Sequence, residues 1–188
     1  MGPVMEYSKD LHAEKYRLEN ESYEEYTHRI SREIFNTEHE KYEAFSCLLQ
    51  EMRFLPGGRI SIALGNGDKL TPMNCFVSSE IKDNLESIWA VLVEAGRVLS
   101  MGGGIGFNFS NLRPSGALVS SVSGPAGGPV NFMRIFDAQG QVMASTGGRR
   151  GAQMGVLNVD HPDIEAFIRA KQDGTSLSAF NLSVGITD

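Results

Sequence analysis

Apolar positions recur along this chain with two different periods, and the change between them divides it. Between Glu24 and Arg53, the residues Ile30, Ile34, Phe35, Tyr42, Phe45, Leu48, Leu49 and Met52 fall at spacings of three, four and seven. This predicts an amphipathic helix or helix pair, broken near Asn36-Thr37. Residues 1–53 are rich in Glu, Lys, Arg and Tyr and read as a helical segment. Cys47 lies on the apolar stripe and is expected to be a small buried residue; the Tyr, Glu and His side chains here read as a solvated face. Leu55 to Ile60, LPGGRI, ends the helical part, because proline lacks a backbone donor and two glycines follow it. The resulting turn around Gly57 and Gly58 is either punctuation or a holder for an anionic group. Asn66-Gly67-Asp68 predicts another turn.

Beyond it the period shortens. MNCFVSS (73–79) is a short β-prone run holding Cys75, and DNLESIWAVLVEAGRVLS (83–100) then returns to helical spacing. Asp83 or Asn84 suits the N-cap, Glu86 the first turn, and Leu85, Ile88, Leu92, Ala95 and Leu99 form a seam widened by Trp89 and Val93. IGFNFS reads as a strand, Pro129 to Ser145 as a helix with Phe132, Ile135, Phe136, Val142 and Met143 on its apolar side, and MGVLNV as a strand. In DHPDIEAFIRAK, Pro162 fits the first helical position, and FNLSVGI forms a last strand. This alternation predicts an α/β unit with parallel or partly parallel strands. Four strands cannot close a barrel, and the chain stops at Asp188 directly after the last one, as an interrupted fold would.

Composition narrows the classes. With 188 residues, 41% of them hydrophobic, the chain is long enough for one sizeable core or two small ones. A net charge of −6 argues against a surface that grips nucleic acid nonspecifically. No run approaches the roughly 18 apolar residues of a membrane span, and MGPVMEYSKD lacks the apolar core of a signal peptide, so a cytoplasmic address is expected. Cys47 and Cys75 are the only cysteines and lack metal-ligand spacing.

Candidate chemistry gathers around glycine. GGGIG precedes its strand where a dinucleotide fingerprint would follow one, which excludes a Rossmann reading. Arg113-Pro114-Ser115-Gly116 places one cation in a loop. In TGGRRGAQ, two arginines sit among Gly147, Gly148 and Gly151, a pattern suited to a loop that contacts phosphate or base. His161 reads as a residue at a helix start. Composition and spacing leave Cys75 open between packing and chemistry.

LPGGRI, NC before an apolar strand, DNLESI, GGGIGFNFSNLRPSG, TGGRRGA, VLNVDHPDIEAFIRAK and FNLSVG, in this order, resemble the first half of the catalytic subunit of ribonucleotide reductase. The resemblance covers about Phe54 to Asp188 and is closest to the adenosylcobalamin-dependent class II enzymes. It implies residues 54–188 as the first half of a ten-stranded α/β barrel, after the helical segment 1–53. Cys75 matches the first redox cysteine, which reduces C2′ of the ribose and forms a disulfide in each turnover. Asn74, Gly57, Gly58, Gly103, Gly104 and Arg150 match substrate-binding positions, Arg150 as the contact from the loop. Asp83, Asn84, Leu85, Arg113, Gly147, Gly148 and Arg149 match the site of a deoxynucleoside triphosphate effector, with Arg113 on its phosphates.

The resemblance also implies adenosylcobalamin, bound mainly elsewhere, a ribonucleotide substrate, a thioredoxin-like or other dithiol reductant, and a possible homodimer through the 84–100 helix. A second phosphate arginine of some class I relatives falls near Ser120 here, and the radical-bearing cysteine and second redox cysteine lie beyond the last strand. Cys47 stands on the wrong side of Cys75 to replace the missing partner. The expectation is a fragment inactive alone and completed by a C-terminal polypeptide, through noncovalent assembly or ligation. The alternatives are a class I large-subunit fragment and a non-catalytic nucleotide-binding module.

Overall fold

The computed structural model describes residues 2–36, 38–67, 70–119, 123–143 and 152–186. They form two compact units, Met1–Asn74 and Cys75–Asp188.

The first unit is helical: α1 (Glu6–Tyr16), α2 (Tyr23–Phe35), α3 (His39–Gln50) and α4 (Gly58–Ala63). α2 starts at a capping box in which Ser22 Oγ accepts from Glu25 N–H at 3.2 Å and Glu25 Oε2 accepts from Ser22 N–H at 2.8 Å. It ends at Asn36, whose φ of 26° breaks the periodicity where the sequence places the break. Tyr26, Ile30 and Leu49 form the core between α2 and α3.

Three expectations fail here. Cys47 is exposed, because α3 buries Ser46 and Leu49 and thereby turns the position between them outward. Its thiol donates to Glu51 Oε1 at 3.5 Å, and that hydrogen bond, with the carboxylate's charge, pushes the thiol pKa up. The aromatic residues are not all a solvated face either. His12 is buried among Tyr16, Tyr23 and Tyr26, with ring centroids 5.4, 5.0 and 4.8 Å away in edge contacts. Burial, and then the charge of Arg17, pull the His12 pKa down. LPGGRI is more than a turn, since its second glycine opens α4. Ser61 and Leu64 of this region give their carbonyls to Arg29, whose guanidinium pairs with Glu21 through Nε–Oε1 at 2.6 Å and Nη2–Oε2 at 2.8 Å.

In the second unit β1 (Cys75–Val77), β2 (Gly104–Asn108), β5 (Gln153–Asn158) and β6 (Phe180–Gly185) form one sheet in that order, every pair parallel. α5 (Leu85–Ser100), α6 (Gly128–Val142) and α7 (Ile164–Arg169) are the crossovers, and β3 (Leu118–Val119) with β4 (Gly124–Pro125) adds a small hairpin before α6. Strand order follows chain order without reversal, as in a barrel wall and unlike a doubly wound sheet. Ile105, Phe107 and Phe109 alternate into a core shared with Ile88, Val91, Ala95 and Leu99 of α5, Met133 and Phe136 of α6, and Phe167 of α7.

The buried faces of the helices differ in detail from the sequence reading. On α5, Val91 is buried in the seam while Leu85, Trp89 and Val93 point outward; on α6, Met133 is buried while Ile135 and Val142 are exposed. Each helix carries more apolar residues than one face can hold. α7 begins at Ile164, and His161-Pro162-Asp163 forms a turn ahead of it. Among the described residues no helix is long and apolar enough to cross a membrane.

Candidate functional site

Parallel strands give the second unit two distinct ends, and its chemistry divides between them. At the amino-terminal end, Cys75 opens β1 directly beside Gly104, which opens β2, and the row continues through Ile105, Gln153 and Phe180. Cys75 is an exposed free thiol. Gly103 is fixed by packing: a Cβ there would stand 2.8 Å from the Phe76 ring and 2.9 Å from Val98 Cγ1, so only glycine lets β1 and the end of α5 close on this turn. Ala152 opens the described chain after α6, and its carbonyl accepts from Ile105 N–H at 3.1 Å. Gly147, Gly148, Arg149 and Arg150 lie outside the described residues, as does Ser120. Gly57, Gly58 and Asn74 belong to the helical unit.

At the carboxyl-terminal end, the chain leaving β1 runs through Asp83 into α5, and the chain leaving β2 runs through Arg113. Between them and the start of α6 is a cavity of about 370 Å³, lined by Asp83, Asn84, Leu85, Glu86, Arg113, Gly127, Gly128 and Phe132 among others. Four predicted effector positions, Asp83, Asn84, Leu85 and Arg113, are thus brought together. Arg113 is tied to Asp83, with Nε–Oδ2 at 2.7 Å and Arg113 N–H to Oδ1 at 3.2 Å, while both side chains stay about one-third exposed (37% and 36%). Asn84 caps α5 by accepting from Ser87 N–H at 2.8 Å.

The second wall was not legible as a site. Gly127 and Gly128 start α6, Pro129 follows in its first turn, and no described side chain caps this terminus. Gly127 and Gly128 line the cavity, so the positive dipole end of α6 lies at its edge, while Val130 and Asn131 of the same turn line a second cavity. The available signal was Gly-Gly-Pro immediately before a helical period. Two helix N-termini and a guanidinium suit an anion, and Asp83 and Glu86 supply acceptors for hydroxyl groups beside it.

α5 and α6 both begin at this cavity and run back toward the Cys75 end. At about 1.5 Å per residue, the 16 residues of α5 span roughly 24 Å. Gln139 of α6 donates to Leu92 O of α5 at 2.9 Å, and Gln153 at the start of β5 donates to Phe136 O of α6 at 2.8 Å, so both helices and the sheet are linked by side chains. Among the described residues no group of three or more His, Cys, Asp or Glu could hold a metal ion.

Residues 73–188 match the ribonucleotide reductase barrel domain. The chain is 46% identical over 147 residues to a vitamin B12-dependent ribonucleoside-diphosphate reductase of Mycobacterium tuberculosis, a match covering 78% of this chain and 21% of that protein. It is 42% identical over 146 residues to the enzyme of the same name from Thermoplasma acidophilum, covering 77% and 19%. The chain thus spans about a fifth of the length of these relatives. The Actinobacillus ureae class Id ribonucleotide reductase alpha subunit shares the fold, with a TM-score of 0.80 at 23% identity over 97% of this chain and 33% of that one. A one-way parallel sheet with an exposed cysteine at its edge and this match over the same residues lead to one conclusion: the chain belongs to the ribonucleotide reductase family.

Proposed function

We propose that this chain supplies one redox thiol and a deoxynucleoside triphosphate effector site to an enzyme that reduces ribonucleotides. The observation that carries the reading is Cys75, a free, exposed thiol opening an edge strand of a reductase barrel sheet. Cys75 and a second thiol, from polypeptide outside these residues, each lose a hydrogen as their sulfurs join. The two electrons and two protons released go to the ribose, whose 2′-hydroxyl leaves as water. A dithiol of the thioredoxin type then restores both thiols by exchange. A strand suits this work because it holds the donor at a fixed distance from the sugar. Gly104 beside Cys75, and Arg150, which lies outside the described residues, are assigned to the substrate.

The relatives' names support dependence on adenosylcobalamin, which supplies the radical chemistry when bound. The described cavities, of about 370 and 300 Å³, do not fit it, since a corrinoid exceeds the drug-sized ligands that sites of about 300–1,000 Å³ enclose. No step through it is assigned to these residues, nor is the radical-bearing cysteine. The outward Leu85, Trp89 and Val93 of α5 support self-association through that helix.

The effector reading rests on Asp83, Asn84, Leu85 and Arg113 meeting at the starts of two helices. Arg113→Ala should weaken deoxynucleoside triphosphate binding at least about tenfold, the worth of one charge-assisted hydrogen bond. Cys75→Ser should leave that binding intact and abolish multiple-turnover reduction in the assembled enzyme. A Cys75→Ser enzyme that turns over normally would leave only a nucleotide-binding module.

A further inference from the structure

We propose that His161 and Asp163 are positioning residues of the anion pocket, bracing the backbone on both sides of Arg113. The inference rests on reading that pocket as the effector site, and deepens it.

Arg113 is held directly by Asp83, but a partly exposed ion pair fixes a guanidinium only as well as the backbone beneath it is fixed. That backbone lies in an irregular stretch between β2 and β3. Its two flanking groups, the Leu112 carbonyl and the Ser115 N–H, both find partners in the turn ahead of α7. His161 is buried, and its Nδ1 accepts from Asp163 N–H at 3.0 Å. That bond puts the ring proton on Nε2, which donates to Leu112 O at 2.8 Å. Asp163 Oδ2 accepts from Ser115 N–H at 2.8 Å. Pro162, between them, restricts the turn that carries both groups.

The same carboxylate reaches the opposite wall of the pocket. A Cβ on Gly128 would stand 2.5 Å from Asp163 Oδ2 and 2.8 Å from Ser115 N, so Asp163, Ser115 and the first residue of α6 are in mutual contact. His161-Pro162-Asp163 therefore sets both the height of Arg113 and its separation from the α6 terminus. Phe167 of α7 belongs to the hydrophobic core, of which neither His161 nor Asp163 is a member. A guanidinium displaced by an ångström from a polyphosphate loses the geometry that makes its hydrogen bonds strong.

The test compares Asp163→Ala, Asp163→Asn and His161→Gln with the unaltered full chain. Titration with dTTP measures affinity, amide hydrogen exchange reads residues 112–116 without ligand, and Trp89 fluorescence in denaturant reads the stability of the unit. Asparagine and glutamine keep an acceptor or donor at the required place, so those variants should bind dTTP within about threefold of the unaltered chain. Asp163→Ala should bind at least about tenfold more weakly, with faster exchange at Ser115. Undiminished binding by Asp163→Ala, or loss of binding explained by global unfolding with no rescue by Asp163→Asn, overturns the proposal alone. An unaltered chain that binds no dTTP overturns the effector reading and this proposal with it.

Discussion

Gly128 and Gly116 provide a matched pair for testing how the pocket is built. Both have left-handed backbones, with φ of 75° and 82°. Around Gly116 nothing stands within 4 Å of an added Cβ, whereas at Gly128 that atom would lie 2.5 Å from Asp163 Oδ2, 2.8 Å from Ser115 N and 3.0 Å from Ser115 Cα. Gly116→Ala therefore bears only the left-handed penalty of about 1–2 kcal/mol, partly offset by the lower entropy of the unfolded chain, for a net of about 1 kcal/mol. Gly128→Ala adds the overpacking of fixed backbone, about 1–3 kcal/mol, for a total of roughly 2–4 kcal/mol. Trp89, the single tryptophan, lies in this unit with its ring 6.5 Å from that of Phe132 on α6, so its fluorescence follows unfolding here. With a urea m-value of about 2 kcal/mol/M, the midpoint should fall by about 0.5 M for Gly116→Ala and by about 1–2 M for Gly128→Ala. Gly128→Ala should also weaken triphosphate binding. Equal midpoint shifts for the two variants would refute the contact between Gly128, Asp163 and Ser115.

Two further predictions concern the helical unit. Glu21 and Arg29 are nearly buried, with 8% and 11% of their side chains exposed, so Glu21→Gln strands a charge and should cost about 3–5 kcal/mol by circular dichroism unfolding. The double change Glu21→Leu with Arg29→Met should recover most of that loss, and failure to do so would show that the carbonyl bonds of Arg29 dominate. His12 has a depressed folded-state pKa, so below its usual 6.5 the unfolded chain takes up a proton that the folded chain refuses. Stability should then be constant above that pH and fall as the pH drops from 6.5 toward the folded value; His12→Phe should flatten this slope, and an unchanged slope would place the titration elsewhere.

What the sequence made legible was whatever is local. Asn84 as a cap and the alternation of Ile105, Phe107 and Phe109 signal a helix start and a strand within a few residues, and the structure uses them so. Which face a helix buries is not local. Trp89, Val93 and Ile135 are as apolar as the residues that reach the core, and Ser46 is buried where Cys47 is not, because the neighbouring elements decide. Asp83, Asn84, Leu85 and Arg113 could be placed in one site only through the ordered motifs, since 30 positions separate Asp83 from the arginine it grips. The α6 wall of the pocket was hidden in a glycine-rich run whose turn and helix start share one composition. The brace from His161 and Asp163 needed coordinates, because 49 and 48 positions separate these residues from Leu112 and Ser115.

The role of Cys75 can be read directly from its oxidation state. The assembled reductase is given ribonucleotide without external dithiol, quenched in acid, alkylated and digested, and the peptides carrying Cys75 and Cys47 are quantified by mass spectrometry. Cys75 should become unreactive to alkylation in proportion to deoxynucleotide formed and regain reactivity when a disulfide reductant is added, while Cys47 stays alkylated throughout. A Cys75 that remains a free thiol after stoichiometric product formation would contradict its assignment as the reducing thiol.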